Sequence, residues 1–574
     1  MNGEPQVQLH SFTFAGFEGE IVAATPAEVL PALARAEAAT ASGLHATGFV
    51  SYEAASGLGT GLTTRPANGF PLLWFGLFRE RAPLRPICTA PAENYAVADW
   101  TTSVTPQEYR ATIAAIRNLI AAGHTYQVNF TLRHRFRFTG APAAFFADLC
   151  RTQPTPYAAF IDTGRYQILS ASPELFFDLR NGILTTRPMK GTACRGRWWQ
   201  EDEAAKQALR ESAKERAENL MIVDLLRNDM GMVARTGSVR VRSLFDVETL
   251  GTVHQLTSTI QAELREGVSL VELFRALFPC GSVTGAPKRR TMEIIAEKED
   301  SPRGIYTGCI GYLSPGGEAR FSVAIRTIVI DSAIGRGELG IGSGVTFSSQ
   351  AEAEYAECLT KGRFAQQRPM EFQLIESLLL KEGRYFLLDR HLERLTRSAA
   401  YFAFPLAPGV AQEALAAIAK HLAGPHKVRL FLSRKGNITC KASPIEAAQI
   451  KLELTAAFAT RSVDSADPFL YHKTTCRSLY DEEAAQRPDC TDVIFVNERG
   501  EVTEGAISTI VARIGGTLVT PPLSCGLLPG VFREELLAAG VIRERVISQE
   551  ELARSEELYL VNSVRKWRRV TLCK

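Results

Sequence analysis

The chain has 574 residues, too many for one hydrophobic core, so several units of ordinary domain size are expected. Hydrophobic residues make up 45% and charged residues 22%, with a formal net charge of +3. That balance excludes a disordered or collagen-like chain and gives no general pull toward nucleic acid or anionic membrane, so any anion site must be built locally. The start, MNGEPQVQLHSFTF, lacks the basic lead and apolar run of a secretory signal, and no stretch of about 18 uncharged apolar residues suggests a membrane helix. The eleven cysteines are scattered and never spaced C-x-x-C, which points to reduced thiols in a cytoplasmic protein.

The first hundred residues are rich in Ala, Gly and Pro and weakly patterned. From Pro106, QEYRATIAAIRNLIAAG places Tyr109, Ile113, Ile116 and Ile120 on one helical face. After Gly123 the period changes to two, and Val128, Phe130, Leu132, Phe136 and Phe138 predict a half-buried strand. A long helix is expected over 203–227, and Ser349 with Glu352 forms a capping-box start for another. The polar stretch 364–371 marks a boundary. Beyond it, LIESLLL and YFLL read as paired strands about Gly383, HLERLTRSAAYF as a helix, and DVIFVN with EVTEGAISTIVAR as a hairpin turning at Glu498–Gly500.

Two helical segments each carry a Glu-x-x-Glu pair, Glu215 with Glu218 and Glu354 with Glu357. Three-residue spacing puts the carboxylates of each pair on one face, where together they would supply hard oxygen ligands for Mg²⁺. On spacing alone they read more readily as solvated faces paired with neighbouring Arg and Lys, because Glu-rich helices are common. Between them PCGSVTGAPKRR, with Pro287 where a helix would begin, leaves backbone N–H groups free for an anion, and GIGSGVT is similarly glycine-dense. Both could instead be plain turns. Neither is a Walker loop, and no strand–turn–helix context supports a dinucleotide fingerprint.

The order YQVNF, SPELF, RPMKGT, AENLMIVDLLRND, GSVTGAPK, GYLS, AIRT, GSGV and EAEYAE resembles the chorismate-utilising enzymes, the family of anthranilate synthase and aminodeoxychorismate synthase component I, across about 105–365. The resemblance implies an α+β fold of packed antiparallel sheets with helices, and a need for Mg²⁺. It places the metal carboxylates on Glu218 and Glu357 with Glu215 and Glu354 in support. Gly191, Thr192, Gly285, Tyr306, Arg326, Gly342 and Gly344 fall at substrate-holding positions, and Glu174 at the general acid. Lys190 stands where the aminodeoxychorismate synthases carry lysine and the anthranilate synthases alanine. The implied chemistry is attack of its free amine on ring C2 as the C4 hydroxyl leaves, then displacement by ammonia at C4. Gln255 stands where the family often shows His, with His254 one place earlier, and neither is given a role.

The C-terminal motifs FLLDRHLERLTRSA, HKTTCRSLYD, GEVTEGAIS, CGLLPGVFR and LVNSVRKW resemble the class IV pyridoxal-phosphate enzymes and lean toward aminodeoxychorismate lyase. The resemblance implies that Lys473 bonds the cofactor aldehyde and Glu504 faces its pyridine nitrogen. Arg394, Ser563 and the amides of Val531 and Phe532 would hold the phosphate, and Arg477 would meet a substrate carboxylate. Phe532 stands where the family usually has Thr, and Lys566 replaces a usual glycine. This half is shortened, lacking the upstream strands of free-standing members. Residues 1–365 thus read as a synthase part, with 1–104 weakly matched, and 371–574 as a pyridoxal-phosphate part. The implied function is synthesis of 4-aminobenzoate, the folate precursor, from chorismate and ammonia with release of pyruvate. No glutaminase cysteine–histidine signature is present, so glutamine use implies a separate amidotransferase subunit. A homodimer through the second half, but no nucleic-acid or membrane partner, is compatible with this reading. The alternatives are an anthranilate synthase-like enzyme fused to an aminotransferase, or to a catalytically inert module.

Overall fold

A computed structural model describes residues 5–9, 11–83, 94–366, 368–445 and 454–573. Met1–Glu4 and His10 of the N-terminal stretch and Gln367 of the boundary stretch lie outside the described residues. Two compact units form, one from Met1–Cys194 with Lys206–Pro369, the other from Met370–Lys574 together with the segment Arg195–Ala205. No described helix is long and apolar enough to cross a membrane.

The first unit is a single 18-stranded antiparallel system. Near one end, the strand Gln127–Gly140, flanked by Tyr95–Thr102, pairs with Arg336–Val345 so that Gly344 faces Asn129. Pairing then runs through Thr327–Asp331, the strands Tyr166–Ser172 and Tyr157–Asp162, and the N-terminal strands Gln6–Leu9, Phe12–Ala23, Leu73–Pro83 and His45–Val50. It continues through Cys309–Ser314, Glu318–Val323, Leu175–Arg180 and Ile183–Arg187 to Val253–Glu263, which carries Met189–Cys194 beside it. The regions near the two ends of this series meet: a methyl group on Gly344 would collide with the Lys190 amine. Residues near opposite ends of the strand order therefore share one cavity.

The helix Pro106–Ala121 forms as its periodicity predicts, capped by Thr105 and Glu108 and burying Tyr109, Ile113 and Ile116. Several expectations need correction. The strand Gln127–Gly140 is buried on both faces from Gln127 to His134 and alternates only beyond, because its second face is also covered. The helix expected over 203–227 is two, Trp199–Glu211 and Ala213–Gly231. Ser212 breaks it: its backbone is extended and its side-chain hydroxyl accepts the Glu215 N–H at 3.3 Å, the local bond that makes serine a start signal. Ser349 does not cap a helix; it accepts the Thr346 N–H at 3.0 Å, Glu352 turns to Arg110, and Ala351–Gly362 starts from Gln350. GIGSGVT is no turn but part of the strand Arg336–Val345.

In the second unit, Arg384–Tyr385, Leu374–Lys381, His426–Leu432 and Ile438–Pro444 form a four-stranded antiparallel sheet. Its core gathers Leu374, Leu378, Leu430 and Leu432 with Leu395, Ala399 and Leu415 of the helices Leu388–Tyr401 and Val410–Ala419. Of YFLL only Tyr385 is strand; Leu387 turns left-handed (φ 54°) and starts the helix. An eight-stranded mixed sheet follows. Its hairpin Asp492–Val496 with Val502–Gly505 forms as expected, but the chain breaks at Ala506–Ser508 before the next strand, Thr509–Ile514.

Candidate functional sites

A cavity of about 210 Å³ in the first unit is lined by Glu174, Lys190, Gly191, Thr192, Tyr306, Arg326, Gly342, Gly344 and all four paired glutamates. Gly285 is off this wall. With φ 137° and a neighbouring Gln127 carbonyl that a side chain would overlap, it lets the GSVTGAPK loop pair with Gln127–Val128, and Ser282 and Val283 of that loop reach the cavity instead.

Glu174 is 2% exposed. Burial pushes its carboxyl up to about 7, opposed by the Ser282 hydroxyl, which donates at 2.7 Å, and by the Met189 N–H. Burial pushes the Lys190 amine down; Glu218 opposes that, and Lys361 adds to it. Both groups are thus driven toward their neutral forms. Asn219 donates to the Lys190 carbonyl at 3.1 Å and accepts from Ser258 at 2.6 Å, which fixes the strand at the lysine.

The helix Ala213–Gly231 presents Glu215 and Glu218, both near Lys214 (3.8 and 4.0 Å), while Lys361 pairs with Glu357 at 2.6 Å. Burial, then Glu218, raises the Glu215 carboxyl; burial works the same way on Glu357, but Lys361 prevails and its carboxyl is lowered. Among the described residues no three acidic, His or Cys side chains already stand in one metal's reach. The donor chemistry nonetheless fits a hard cation, which would relieve the Glu215–Glu218 repulsion once Glu357 leaves Lys361.

Arg326, left-handed at φ 49°, bonds Gln153 and has no carboxylate partner among the described residues. Burial alone pushes it down to about 10. An uncompensated buried charge costs roughly several kcal/mol, so this guanidinium is set to receive an anion. Gly340 leaves room for the Tyr306 ring, which a methyl group there would overlap. Gln255 lines the cavity and accepts from Thr192 at 3.3 Å, whereas His254 is wholly buried with Thr249 at 3.1 Å. Ser282, Asn219 and Lys361 were not singled out from sequence, although each sits within or beside a motif that was.

In the second unit a cavity of about 410 Å³ gathers Arg394, Lys473, Arg477, Glu504, Val531, Phe532 and Ser563. Burial, then Arg394 and Arg477, push the Lys473 amine down to about 7. Burial pushes Glu504 up to about 7; its oxygens accept from the Tyr480 hydroxyl at 2.9 Å and the Leu528 N–H at 3.2 Å. Arg394 is gripped by Glu376 through two bonds of 2.9 and 2.7 Å, and His391 meets the same carboxylate at 2.7 Å. Glu376, in LIES, is the residue that sequence reasoning passed over here. Val531 and Phe532 open the helix Val531–Ala538, so their amides lie among the N–H groups that no helical carbonyl satisfies. A lysine poised near neutrality, a buried carboxyl and this anion cradle in one cavity fit a phosphorylated pyridine aldehyde.

Fold and cavities together define a chain with two chemical sites, one that brings a carboxyl, an amine and an arginine beside four glutamates, and one whose lysine, carboxyl and anion cradle suit an aldehyde cofactor. The chain belongs to the chorismate binding enzyme family, whose model matches residues 4–367, and residues 373–573 match the amino-transferase class IV family. It is 44% identical over 284 residues to the aminodeoxychorismate synthase of Streptomyces griseus, covering 49% of this chain and 38% of that protein. It is 39% identical over 266 residues to anthranilate synthase component 1 of Aquifex aeolicus (strain VF5), covering 46% of this chain and 53% of that one. The chain thus spans about half or less of the length of these two relatives. The solved anthranilate synthase component I from Streptococcus pneumoniae TIGR4 superposes with a TM-score of 0.55 at 27% identity, covering 63% of this chain and 92% of that one.

Proposed function

We propose that the chain makes 4-aminobenzoate in two steps, amination of chorismate at C4 and then elimination of pyruvate. The observation that carries this reading is the meeting of Lys190 with Glu174 in the first cavity. A near-neutral carboxyl can protonate the departing C4 hydroxyl, which leaves as water, while the neutral amine bonds to ring C2. Ammonia then bonds to C4 and Lys190 is released. Arg326 holds a substrate carboxylate, and Tyr306, Gly191, Thr192, Gly342 and Gly344 shape the ring's place. Glu218 and Glu357, with Glu215 and Glu354 in support, would hold Mg²⁺, which would supply positive charge for a second carboxylate. The likeness to an anthranilate synthase supports amination at C2 as a second reading; a lysine at 190 speaks for C4.

In the second cavity, pyridoxal phosphate would be held through Arg394, Ser563 and the Val531 and Phe532 amides, and when bound it supplies an electron sink. Glu504 would face the pyridine nitrogen and keep it protonated. The Lys473 amine, free near neutral pH, would hold the cofactor and take the proton from ring C4, and Arg477 would meet a substrate carboxylate. Aromatisation drives pyruvate out, so no amino acceptor is consumed. The protein is placed in the cytoplasm, with a separate amidotransferase supplying ammonia from glutamine and self-association through the second unit.

The test is Lys473→Ala in the full chain. With chorismate, ammonium and Mg²⁺ the variant should accumulate 4-amino-4-deoxychorismate at the wild-type rate and form no 4-aminobenzoate. Undiminished pyruvate release by that variant would remove the second half of the reading.

A further inference from the structure

The residues Arg195–Ala205 follow the strand Met189–Cys194 but belong to the second unit. Their fold is stapled locally: Arg195 makes two bonds of 2.8 and 2.9 Å to the buried Asp202 carboxylate, which also accepts the Gly196 N–H at 2.8 Å. Position 196 must be glycine, because a side chain there would overlap the Asp202 backbone. Arg197 is held in the same way by Glu201, at 2.8 Å from one oxygen.

From this staple Arg197 and Trp198 reach the residues before Lys473, and Arg195 reaches Tyr401. The Arg197 guanidinium donates to the Ser465 carbonyl at 3.0 Å, and the Tyr471 hydroxyl donates to that same oxygen at 2.8 Å. The Trp198 ring lies 5.0 Å from the ring of Tyr471, itself 1% exposed, and packs on the cluster that includes Tyr480, the donor to Glu504. Arg195 donates to the Tyr401 carbonyl and covers its ring at 4.1 Å; that ring also lies 4.3 Å from His472. His472 is bonded to Ser398 at 2.9 Å, and burial with Arg195 beside it pushes it down to about 3, so it stays neutral.

We infer that Arg195–Ala205 is the positioning element of the Lys473 loop, with Arg197 and Trp198 setting Ser465–Lys473 in place for the cofactor. The inference rests on the reading of Lys473 as the cofactor lysine. Arg197 and Trp198 touch neither cavity's reacting groups; they act through Tyr471, His472 and Tyr480.

The full chain, freed of cofactor, is titrated with pyridoxal phosphate, and borohydride fixation at Lys473 is followed against pH by mass spectrometry. Trp198→Ala should weaken cofactor binding by about tenfold or more. The midpoint of fixation should move up from about 7 by about one pH unit, toward the ordinary lysine value. Arg197→Gln should shift both in the same direction, and Trp198→Phe, which keeps a stacking ring, should restore both. Amide exchange over 465–473 should quicken by about tenfold in Trp198→Ala while the helix Pro106–Ala121 is unchanged. Wild-type affinity and midpoint in Trp198→Ala, or in Arg197→Gln if the first variant does not fold, would overturn the inference. A wild-type chain that binds no pyridoxal phosphate contradicts the cofactor reading instead, and exchange then decides alone, with unaltered rates over 465–473 overturning the brace.

Discussion

Glu174 and Lys190 carry opposite charges when ionised, and burial acts on both in the same sense, favouring the neutral form of each. The carboxyl is raised to about 7, so its acid form is lost as pH rises through neutrality. The amine is lowered, so its free form persists below the usual lysine range. Amination should therefore fall on the alkaline side as Glu174 ionises through about 7 and on the acid side as Lys190 is protonated. Glu174→Gln keeps the shape and removes the proton; it should slow amination by about 10² to 10⁴-fold and abolish the alkaline limb, as initial rates against pH will show. A variant with an unchanged profile would assign that limb to another group. Lys190 was readable because RPMKGT surrounds it, whereas Ser282, which donates to Glu174, and Asn219, which pins the lysine carbonyl, have no signal beyond lying in motifs.

Among the elements, those with a strong period formed as written, the helix Pro106–Ala121 foremost. Those that did not were decided by competition that hydrophobic spacing does not report. Ser212 gave its side chain to a backbone N–H and split one helix into two, which sets Glu215 in the first turn of its own helix. Ser349 made the same kind of local bond and lost a helix start. The glycines of GIGSGVT were legible as special but not as strand, since their reason is tertiary: Gly340 admits Tyr306 and Gly344 admits Lys190. Gly344→Ala should then displace the amine and cost about 10²-fold in amination, the penalty of a misplacement near 1 Å, with the melting temperature little changed. Kinetics of the purified variant beside its thermal unfolding will separate this from general damage. Normal amination in Gly344→Ala would mean that Lys190 has freedom to spare.

For the whole molecule, the eighteen-strand series explains why the first site was legible only as a list. Lys190 and Gly344 lie near opposite ends of the strand order and meet because those two regions of the series face one another, a relation no local window contains. The membership of Arg195–Ala205 in the second unit was equally invisible, because an exchange of one short segment leaves composition and period untouched. The motifs survived such concealment because short runs of particular residues carry chemistry whatever the distance between them. With no glutaminase cysteine–histidine motif in the sequence, the purified chain should aminate chorismate with ammonium and not with glutamine. Glutamine-dependent product from the single chain would place a third activity within it.

The central claim is that one chain carries chorismate through both chemical steps. The most direct measurement is product analysis of the purified wild-type chain, loaded with pyridoxal phosphate and supplied with chorismate, ammonium and Mg²⁺. The account predicts 4-aminobenzoate and pyruvate in equal amounts, with 4-amino-4-deoxychorismate appearing first. Formation of 2-aminobenzoate, or of aminated chorismate that never proceeds to 4-aminobenzoate, would contradict it.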